Sequence, residues 1–282
     1  GQHPGGDQDP QGLCGGSGMI PLDTIIQGDC LEEMKKLPGG CIDMILCDLP
    51  YGTTACKWDH VIPLEPLWKE YKRLIKDRGA IVLTASQPFT SVLITSNKDM
   101  FKYCMVWKKT RPSDFLNAKN KPMKYHEDIC IFSLGTTANK SPNKMIFNPQ
   151  MRSGKPYTKL QKTDPRVGAW DAGNRTPYVN VLNMNDGVRY PSSVIEFPND
   201  NHDSLHPTQK PVALFEYLIK TYTNEGDLVL DNCIGSGTTA VAAKRTGRHF
   251  IGIELSEEYC EIARKRVAAV PARLDRWAEA DA

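Results

Sequence analysis

One short segment of the chain combines residue types that can bind and orient an amino group. Residues 47–52 read CDLPYG and follow the apolar run IDMIL, which is typical of a buried strand. The carboxylate of Asp48 can accept a hydrogen bond from an amino group, and the ring of Tyr51 can stack on a planar base. Pro50 stiffens the turn and exposes the carbonyl of Leu49. Taken alone, D-x-P-Y is also a common turn.

A second segment has the form of a ligand-binding glycine loop between a strand and a helix. Residues 228–239 read LVLDNCIGSGTT, and Gly235 and Gly237 let a ligand approach the N–H groups of the helix N-terminus. Glu254 follows Gly237 by 17 residues, where an acid at a strand end can accept hydrogen bonds from both ribose hydroxyls. A lone G-x-G is often only a structural turn, but with this strand context and this acid it indicates a nucleoside-containing cofactor. The third glycine of a dinucleotide fingerprint and the Gly-Lys-Ser/Thr of a triphosphate loop are missing, so phosphate recognition is poorly supported.

The elements that must position these two segments form an alternating pattern from Thr24 onward. Short β-rich runs alternate with helical patterns, which predicts an α/β fold with a mostly parallel sheet covered by helices on both faces. We predict seven strands, at residues 24–27, 43–47, 80–84, 103–107, 128–134, 227–231 and 249–254. One helix is predicted from Leu64 to Ile75, ending before Gly79, and another begins at Pro211. Because ligands bind beyond the carboxyl ends of such strands, Asp48 and Tyr51 are expected to face the same cleft as the glycine loop.

Length and composition are those of an ordinary globular protein. The chain has 282 residues, 40% of them hydrophobic and 24% charged, and no run approaches the ~20 apolar residues of a membrane helix. The nine cysteines contain no C-x-x-C pair, which predicts reduced thiols and no metal. We therefore expect a soluble, cytoplasmic protein. Residues 1–18 are glycine-rich and are expected to be a disordered leader, either an expression tag or a native tail, and residues 271–282 a C-terminal tail.

Positive charge is concentrated in the middle of the chain. Residues 98–124 carry eight Lys or Arg against two Asp, and residues 140–189 carry nine against three, so each segment has a charge of +6. Residues 135–204 also interrupt the alternating pattern, which predicts an insertion that forms a functional loop region or a small subdomain. Such a basic region favours contact with nucleic acid, although a solvated basic face has the same composition. The candidate phosphate contacts are Lys108, Lys109, Arg111, Arg152, Lys155, Lys159, Lys162 and Arg175.

Together the motifs resemble those of the amino-group DNA methyltransferases that use S-adenosylmethionine. Residues 48–51 (DLPY) are similar to the catalytic tetrapeptide D-P-P-Y of that family, and residues 231–239 (DNCIGSGTT) to its cofactor loop D-P-F-x-G-S-G-T-T. Residues 206–211 (HPTQKP) match the element that precedes that loop. The resemblance covers nearly the whole chain after Met19, and the order of the motifs resembles the β group.

The resemblance implies a role for each matching residue and a division of the chain. It implies a Rossmann-like methyltransferase domain, with a catalytic half at 19–134, an inserted target-recognition region at 135–204 and a cofactor-binding half at 205–270. Lys210 is implied to pair with the carboxylate of the cofactor's methionine portion. Asp29 either contacts the adenine amino group of the cofactor or caps a helix. The implied catalytic residues are Asp48, Leu49, Pro50 and Tyr51. The implied cofactor-binding residues are Asp29, Asp48, Lys210, Asp231, Cys233, Gly235, Ser236, Gly237, Thr238 and Glu254.

The chain departs from the family motifs at two places. Leu49 replaces the first proline, which matters little if only its main-chain carbonyl is used. Asn232 and Cys233 replace the usual Pro-Phe, which predicts weaker cofactor binding or altered geometry.

The expected activity is transfer of a methyl group from S-adenosyl-L-methionine to the exocyclic N6 of an adenine flipped out of double-stranded DNA. Aspartate at the first tetrapeptide position favours adenine, while methylation of cytosine at N4 remains an alternative. An RNA or protein-amide methyltransferase and a non-catalytic DNA-binding protein are more distant alternatives. A homodimer is compatible with the sequence, and no restriction partner is evident from it.

Overall fold

The computed structural model describes residues 20–52, 61–163, 179–199 and 209–271. The predicted leader at 1–18, Arg175, residues 206–208 of the HPTQKP element and the tail from residue 272 lie outside these ranges, and of Lys162 only the backbone is described. The chain divides into a larger compact unit, 1–148 with 193–282, and a smaller one, 149–192.

The elements follow in chain order and are numbered accordingly. They are β1 (Thr24–Gln27), α1 (Cys30–Lys36), β2 (Ile42–Asp48), α2 (Leu64–Leu74), β3 (Ile75–Ala85), α3 (Phe89–Ser96), β4 (Phe101–Ser113), a 3₁₀ turn (Phe115–Asn117), β5 (Lys124–Ser133), β6 (Arg152–Ser153), β7 (Tyr157–Thr163), β8 (Val179–Asn185), β9 (Val188–Arg189), β10 (Val194–Phe197), α4 (Val212–Tyr222), β11 (Leu228–Asp231), α5 (Thr238–Arg245), β12 (His249–Glu254) and α6 (Glu257–Ala268).

The larger unit is built on one central sheet with the strand order β1-β12-β11-β2-β3-β5-β4-β10. All its described strands run in the same direction except β5, which is antiparallel to β3 and β4. One apolar core lies between the sheet and α4, α5 and α6, and a second lies between the opposite face and α1, α2 and α3. The predicted α/β architecture with helices on both faces is therefore confirmed.

The sheet has eight described strands rather than the predicted seven. The additional strand is β10, which pairs in parallel with β4 and lies inside the segment predicted to be an insertion. It has only four residues, of which Ile195 is buried, and Trp107 of β4 donates its Nε1–H to the carbonyl of Phe197 at 3.0 Å. So short a strand next to a proline-containing segment has too weak a periodic pattern to be recognised from sequence.

The two helix predictions are confirmed with small shifts at their ends. On α2 the side chains of Leu67, Trp68, Tyr71 and Leu74 are buried in the core, but the helix ends at Leu74 and β3 begins at once. Pro211 is the N-cap of α4 rather than its first helical residue.

The smaller unit is shorter at both ends than the predicted insertion at 135–204. It contains two antiparallel ribbons, β6 with β9 and β7 with β8. Residues before it bond into the larger unit, since Ile146 N–H donates to the carbonyl of Arg78 at 2.9 Å and Asn148 N–H to that of Thr221 at 2.7 Å. After it, β10 joins the main sheet.

Seven cysteines lie in the described ranges, and all seven are free thiols. In the same ranges, no group of three or more His, Cys, Asp or Glu side chains is arranged to hold a metal ion. None of the helices described above has the length and apolar character needed to cross a membrane.

Candidate active site

The two segments singled out in the sequence end neighbouring parallel strands. Asp48 is the last residue of β2 and Asp231 the last residue of β11, and these two strands pair directly. Since parallel strands end at the same edge of a sheet, the DLPY turn and the glycine loop both begin at one carboxyl edge. The two segments therefore start side by side at one sheet edge, while the cleft expected between them stays a prediction.

Three side chains hold the carboxylate of Asp48. The hydroxyl of Tyr51 donates to Oδ1 at 2.6 Å, and the hydroxyl of Thr84 donates to the same oxygen. The ammonium of Lys210 donates to Oδ2 at 2.5 Å. Thr84 lies directly opposite Asp48 in the register of β2 and β3 and is fully buried. The carboxylate is thus fixed in orientation before any ligand is bound.

Lys210 belongs to a buried cluster of alternating charges. Its ammonium lies 3.4 Å from Glu127, whose other oxygen lies 2.5 Å from the ammonium of Lys109. Burial by itself lowers the pKa of Lys210, but attraction by Asp48 and Glu127 outweighs this and raises it. Burial likewise raises the pKa of Glu127, while Lys210 and Lys109 bring it below its ordinary value. Both groups therefore remain charged at neutral pH.

The ring of Tyr51 is held against a second aromatic ring. Phe89, the first residue of α3, stacks on it with centroids 5.3 Å apart and planes 26° apart. Burial and then the charge of Asp48 raise the pKa of the Tyr51 hydroxyl well above its usual range, so it remains a neutral donor. Leu49 turns its side chain into the apolar core, 3% exposed, and therefore offers only its main chain to the site.

The glycine loop is open at one glycine and closed at the other. Gly235 and Gly237 have φ angles of 52° and 88°, the left-handed region that favours glycine. A Cβ at Gly235 would meet nothing within 4 Å, whereas one at Gly237 would lie 2.8 Å from the Cβ of Ala263. Gly235 therefore leaves room for a ligand above the backbone, and Gly237 allows α6 to pack closely.

Asp231 fixes the start of this loop from inside. It accepts hydrogen bonds from Cys233 N–H at 3.0 Å and from the Thr239 hydroxyl at 2.5 Å. Burial raises the pKa of its carboxyl to about 6. This carboxylate is only 3% exposed and braces the loop.

Glu254 lies beside the open part of the loop, at the end of β12. Its two oxygens accept hydrogen bonds at 2.9 Å from the backbone N–H groups of Gly235 and Ser256. A carboxylate has about four acceptor positions, so capacity remains for the two hydroxyls of a ribose.

Side chains from elsewhere in the chain hold the outer part of the glycine loop. The hydroxyl of Ser236 donates to Gln209 Oε1 at 3.1 Å, and Arg266 donates to the carbonyl of Ser236 at 2.7 Å. The same guanidinium lies 3.5 Å from the Thr238 hydroxyl. Ser236 and Thr238 are therefore held from α6 and from the segment before α4.

Two residues predicted to bind the cofactor, Asp29 and Lys210, have hydrogen-bonding partners within the protein. Asp29 accepts hydrogen bonds from Leu31 N–H and Glu32 N–H at 2.9 and 3.2 Å, so the structure shows the helix cap of the two alternatives. Lys210 is bound to Asp48 and Glu127 rather than standing ready for a cofactor carboxylate.

The replacement of the family's Pro-Phe by Asn232 and Cys233 has a structural basis. Asn232 is buried and accepts a hydrogen bond from Tyr71 of α2 at 2.5 Å, which ties the loop to the core. Cys233 is partly buried against the same core.

The predicted phosphate contacts divide into exposed and internal residues. The structure does not support Lys109, because its ammonium is buried against Glu127 and lies 5.2 Å from the centroid of the Trp107 ring. Lys108 is exposed but paired with Glu196 at 2.7 Å. The other described candidates are exposed: Arg111, Arg152, Lys155 and Lys159.

Sequence reasoning missed Thr84, Phe89, Glu127, Gln209 and Arg266. Thr84 ends the strand predicted at 80–84, so the rule that ligands bind at carboxyl edges could have indicated it. Glu127 could not be found in this way, because its contact with Lys210 depends on the pairing of β5 with its neighbours.

Comparison with known proteins defines the family. The profile of the N6/N4 methyltransferase family, described as DNA methylase, matches residues 42–265. The DNA adenine methyltransferase YhdJ of Escherichia coli (strain K12) is 30% identical over 260 residues, which cover 86% of this chain and 82% of YhdJ. The type II methyltransferase M.HpaI of Haemophilus parainfluenzae is 28% identical over 258 residues, covering 86% of this chain and 73% of M.HpaI. The chain belongs to this family of DNA methyltransferases.

Solved structures agree with this family and fold. The crystal structure of the M1.HpyAVI-SAM complex is similar with a TM-score of 0.54 and 25% identity, covering 86% of this chain and 98% of that one. The cytosine-N4-specific PvuII DNA methyltransferase has a TM-score of 0.59 at 15% identity, covering 86% and 85%, and shows the likeness of fold alone. The predicted resemblance to S-adenosylmethionine-dependent amino-group DNA methyltransferases and the Rossmann-like fold are therefore confirmed.

Proposed function

We propose that this protein methylates the N6 amino group of adenine in duplex DNA, with S-adenosylmethionine bound at the glycine loop and the adenine bound at the DLPY turn. The observation that carries the proposal is the fixed carboxylate of Asp48 at the same sheet edge as the loop around Gly235. The aspartate at position 48 and the likeness to YhdJ, which is named a DNA adenine methyltransferase, favour adenine over cytosine.

The residues present fit the proposed methyl donor. Gly235 leaves open space above the backbone, and Glu254 retains acceptor capacity for ribose hydroxyls. When bound, S-adenosylmethionine supplies an electrophilic methyl group on a sulfonium sulfur. Asp231 and Arg266 keep the loop in shape, and neither needs to contact the donor for this role.

Asp48 acts by orienting the target nitrogen. The lone pair of an adenine amino group is delocalised into the ring, so the nitrogen is a poor nucleophile. Three donors already occupy part of the carboxylate, and about one of its four acceptor positions remains for an N–H of the substrate. A second N–H can be accepted by the carbonyl of Leu49. These two bonds favour a pyramidal nitrogen whose lone pair faces away from the acceptors.

The proton that leaves the methylated nitrogen also requires an acceptor. The raised pKa of Lys210 keeps this group protonated, so it cannot serve as the base. The raised pKa of Tyr51 keeps its hydroxyl protonated as well. The carboxylate of Asp48 is the acceptor that faces the substrate, and Lys210 offsets its charge until then.

Binding of duplex DNA is supported by exposed basic residues. Arg111 and Lys108 lie on β4, and Arg152, Lys155 and Lys159 lie in the smaller unit. Their phosphate contacts offset the cost of turning the base out of the stack, and the Tyr51 ring receives it.

Nucleoside analysis tests the chosen base. The protein is incubated with methyl-labelled S-adenosylmethionine and mixed-sequence DNA, and the digested nucleosides are separated. We expect the label in N6-methyl-2′-deoxyadenosine. Label in N4-methyl-2′-deoxycytidine would overturn the choice of adenine. Label in a parallel incubation with RNA, without label in DNA, would overturn the choice of DNA.

A further inference from the structure

The turn between β4 and β5 exposes an unusual pair of large apolar side chains. We call residues 114–123 the β4–β5 tip. Phe115 is 70% exposed and Leu116 is 84% exposed, and both lie in the 3₁₀ turn at the start of the tip. Met123 and Tyr125, on the return into β5, are also exposed. A contiguous exposed apolar patch rimmed by polar residues is typical of an interaction surface.

The tip is held in one shape by its own hydrogen bonds. Asp114, with a φ of 70°, accepts a hydrogen bond from the Asn117 side chain at 2.6 Å and forms an ion pair with Lys121 at 2.5 Å. Its carbonyl accepts from Asn117 N–H at 3.1 Å. Phe115 and Leu116 are therefore displayed by a braced turn, which lowers the entropic cost of using them in binding.

The tip lies at the same sheet edge as Asp48. Because β5 is antiparallel to both β3 and β4, β4 runs parallel to β2 and also ends at that edge. Thr84, beside Asp48, pairs with Ile129 of β5. The tip ends at Met123, just before β5 starts at Lys124, which is five residues on the N-terminal side of Ile129. At ~3.3 Å per residue this is a rise of ~17 Å, about twice the ~8.5 Å depth of a major groove. The tip can therefore reach the stacked bases of the DNA while the sheet edge stays at the sugar–phosphate backbone.

The charge around the tip identifies the partner. Arg111, Lys119 and Lys121 are exposed on or beside it, and Asp114 is the acidic residue in 108–124. This charge repels a second copy of the same surface and attracts phosphate. Apolar side chains flanked by basic ones fit duplex DNA, in which Phe and Leu are used as wedges between base pairs.

We propose that Phe115 and Leu116 insert into the DNA stack beside the target adenine and fill the space that the base leaves when it turns out. This inference rests on the proposed function, because only a base that must leave a duplex requires such a wedge. The two wedge side chains act on the DNA duplex, whereas the residues around Asp48 and the glycine loop act on the methyl transfer.

The test compares a paired target with one that is already unstacked. The methylated sequence is first read from DNA modified by the wild-type protein. Two duplexes are then made, one with the target adenine paired to thymine and one with it opposite an abasic site. For the double variant Phe115→Ala with Leu116→Ala we expect kcat/KM to fall about 30-fold on the paired duplex, which corresponds to about 2 kcal/mol. On the abasic duplex the loss should stay below about threefold, because the base is already unstacked.

Matched variants distinguish insertion into the stack from misfolding and from a general loss of apolar surface. Val92→Ser removes another exposed apolar side chain, 51% exposed on α3, and should leave both rates unchanged. Unchanged S-adenosylmethionine affinity and an unchanged Tm show that the double variant is folded, and the single variants Phe115→Ser and Leu116→Ser repeat the test. An equal loss on both duplexes, or no loss on the paired one, would overturn the wedge while leaving the proposed function intact. A wild-type protein that transfers no methyl group to mixed-sequence DNA in the first step would overturn both proposals.

Discussion

Replacing Thr84 with valine removes the hydroxyl that holds Asp48 and leaves the shape of the side chain almost unchanged. Thr84 is fully buried at the end of β3, and its hydroxyl donates to Asp48 Oδ1 while lying 3.2 Å from the Tyr51 hydroxyl. A hydrogen bond to a charged group contributes about 1.5–3 kcal/mol, which corresponds to about 10- to 150-fold in rate. Lys210 and Tyr51 still hold the carboxylate in this variant. We therefore expect kcat to fall to the lower part of that range, by about 10- to 50-fold.

The assay for Thr84 separates chemistry from cofactor binding. Single-turnover methyl transfer should slow in Thr84→Val, while the calorimetric Kd for S-adenosylmethionine stays within about twofold, because Thr84 contacts the catalytic carboxylate and not the glycine loop. Thr84→Ser keeps the hydroxyl and should restore most of the rate. A Thr84→Val protein with the full rate, or a Thr84→Ser protein as slow as it, would show that the hydroxyl does not position Asp48.

Three further perturbations follow from the site. Glu254→Ala should weaken S-adenosylmethionine binding about 10- to 100-fold in calorimetry, because it removes the acceptor for the ribose and the hydrogen bond from Gly235 N–H. An unchanged affinity would show that Glu254 does not bind the cofactor. The pKa of Asp231 is raised from 3.8 to about 6 in the folded protein. Its contribution to stability is therefore fully present below pH 3.8, the pKa in the unfolded chain, and is lost as the pH rises through about 6. The unfolding free energy of the wild type relative to Asp231→Asn should therefore fall by about 3 kcal/mol in all between pH 3 and 7, about 2 kcal/mol of it between pH 4 and 6, and stay level above pH 7. A rise over this range would contradict the buried carboxylate. The double variant Arg111→Gln with Lys119→Gln should reduce the slope of log K for DNA against log[salt] by about 2. An unchanged slope would show that these two residues contact solvent rather than phosphate.

The parts of the fold that sequence could predict are those with a strong local pattern. The strands predicted at 24–27 and 249–254 match β1 and β12 residue for residue, because each is an apolar run bounded by glycine or polar residues. The meeting of the DLPY turn and the glycine loop was also predictable, because it follows from the shared edge of parallel strands rather than from any contact.

The parts that sequence could not predict depend on register. Whether Lys109 is a surface cation or an internal one is decided by the alignment of β4 with the antiparallel β5, which places Glu127 opposite Trp107. Lys210 is directed to Asp48 by the same cluster of charges. A basic segment read as a row of charges cannot show which of them are already neutralised by carboxylates distant in sequence.

The role of Asp48 is tested most directly by measuring methyl transfer and cofactor binding together in Asp48→Ala. We predict that the wild type converts DNA adenine to N6-methyladenine, and that Asp48→Ala binds S-adenosylmethionine with nearly the wild-type Kd but transfers no detectable methyl group in a single turnover. Methyl transfer by Asp48→Ala at more than about one hundredth of the wild-type rate would contradict the central role of this carboxylate.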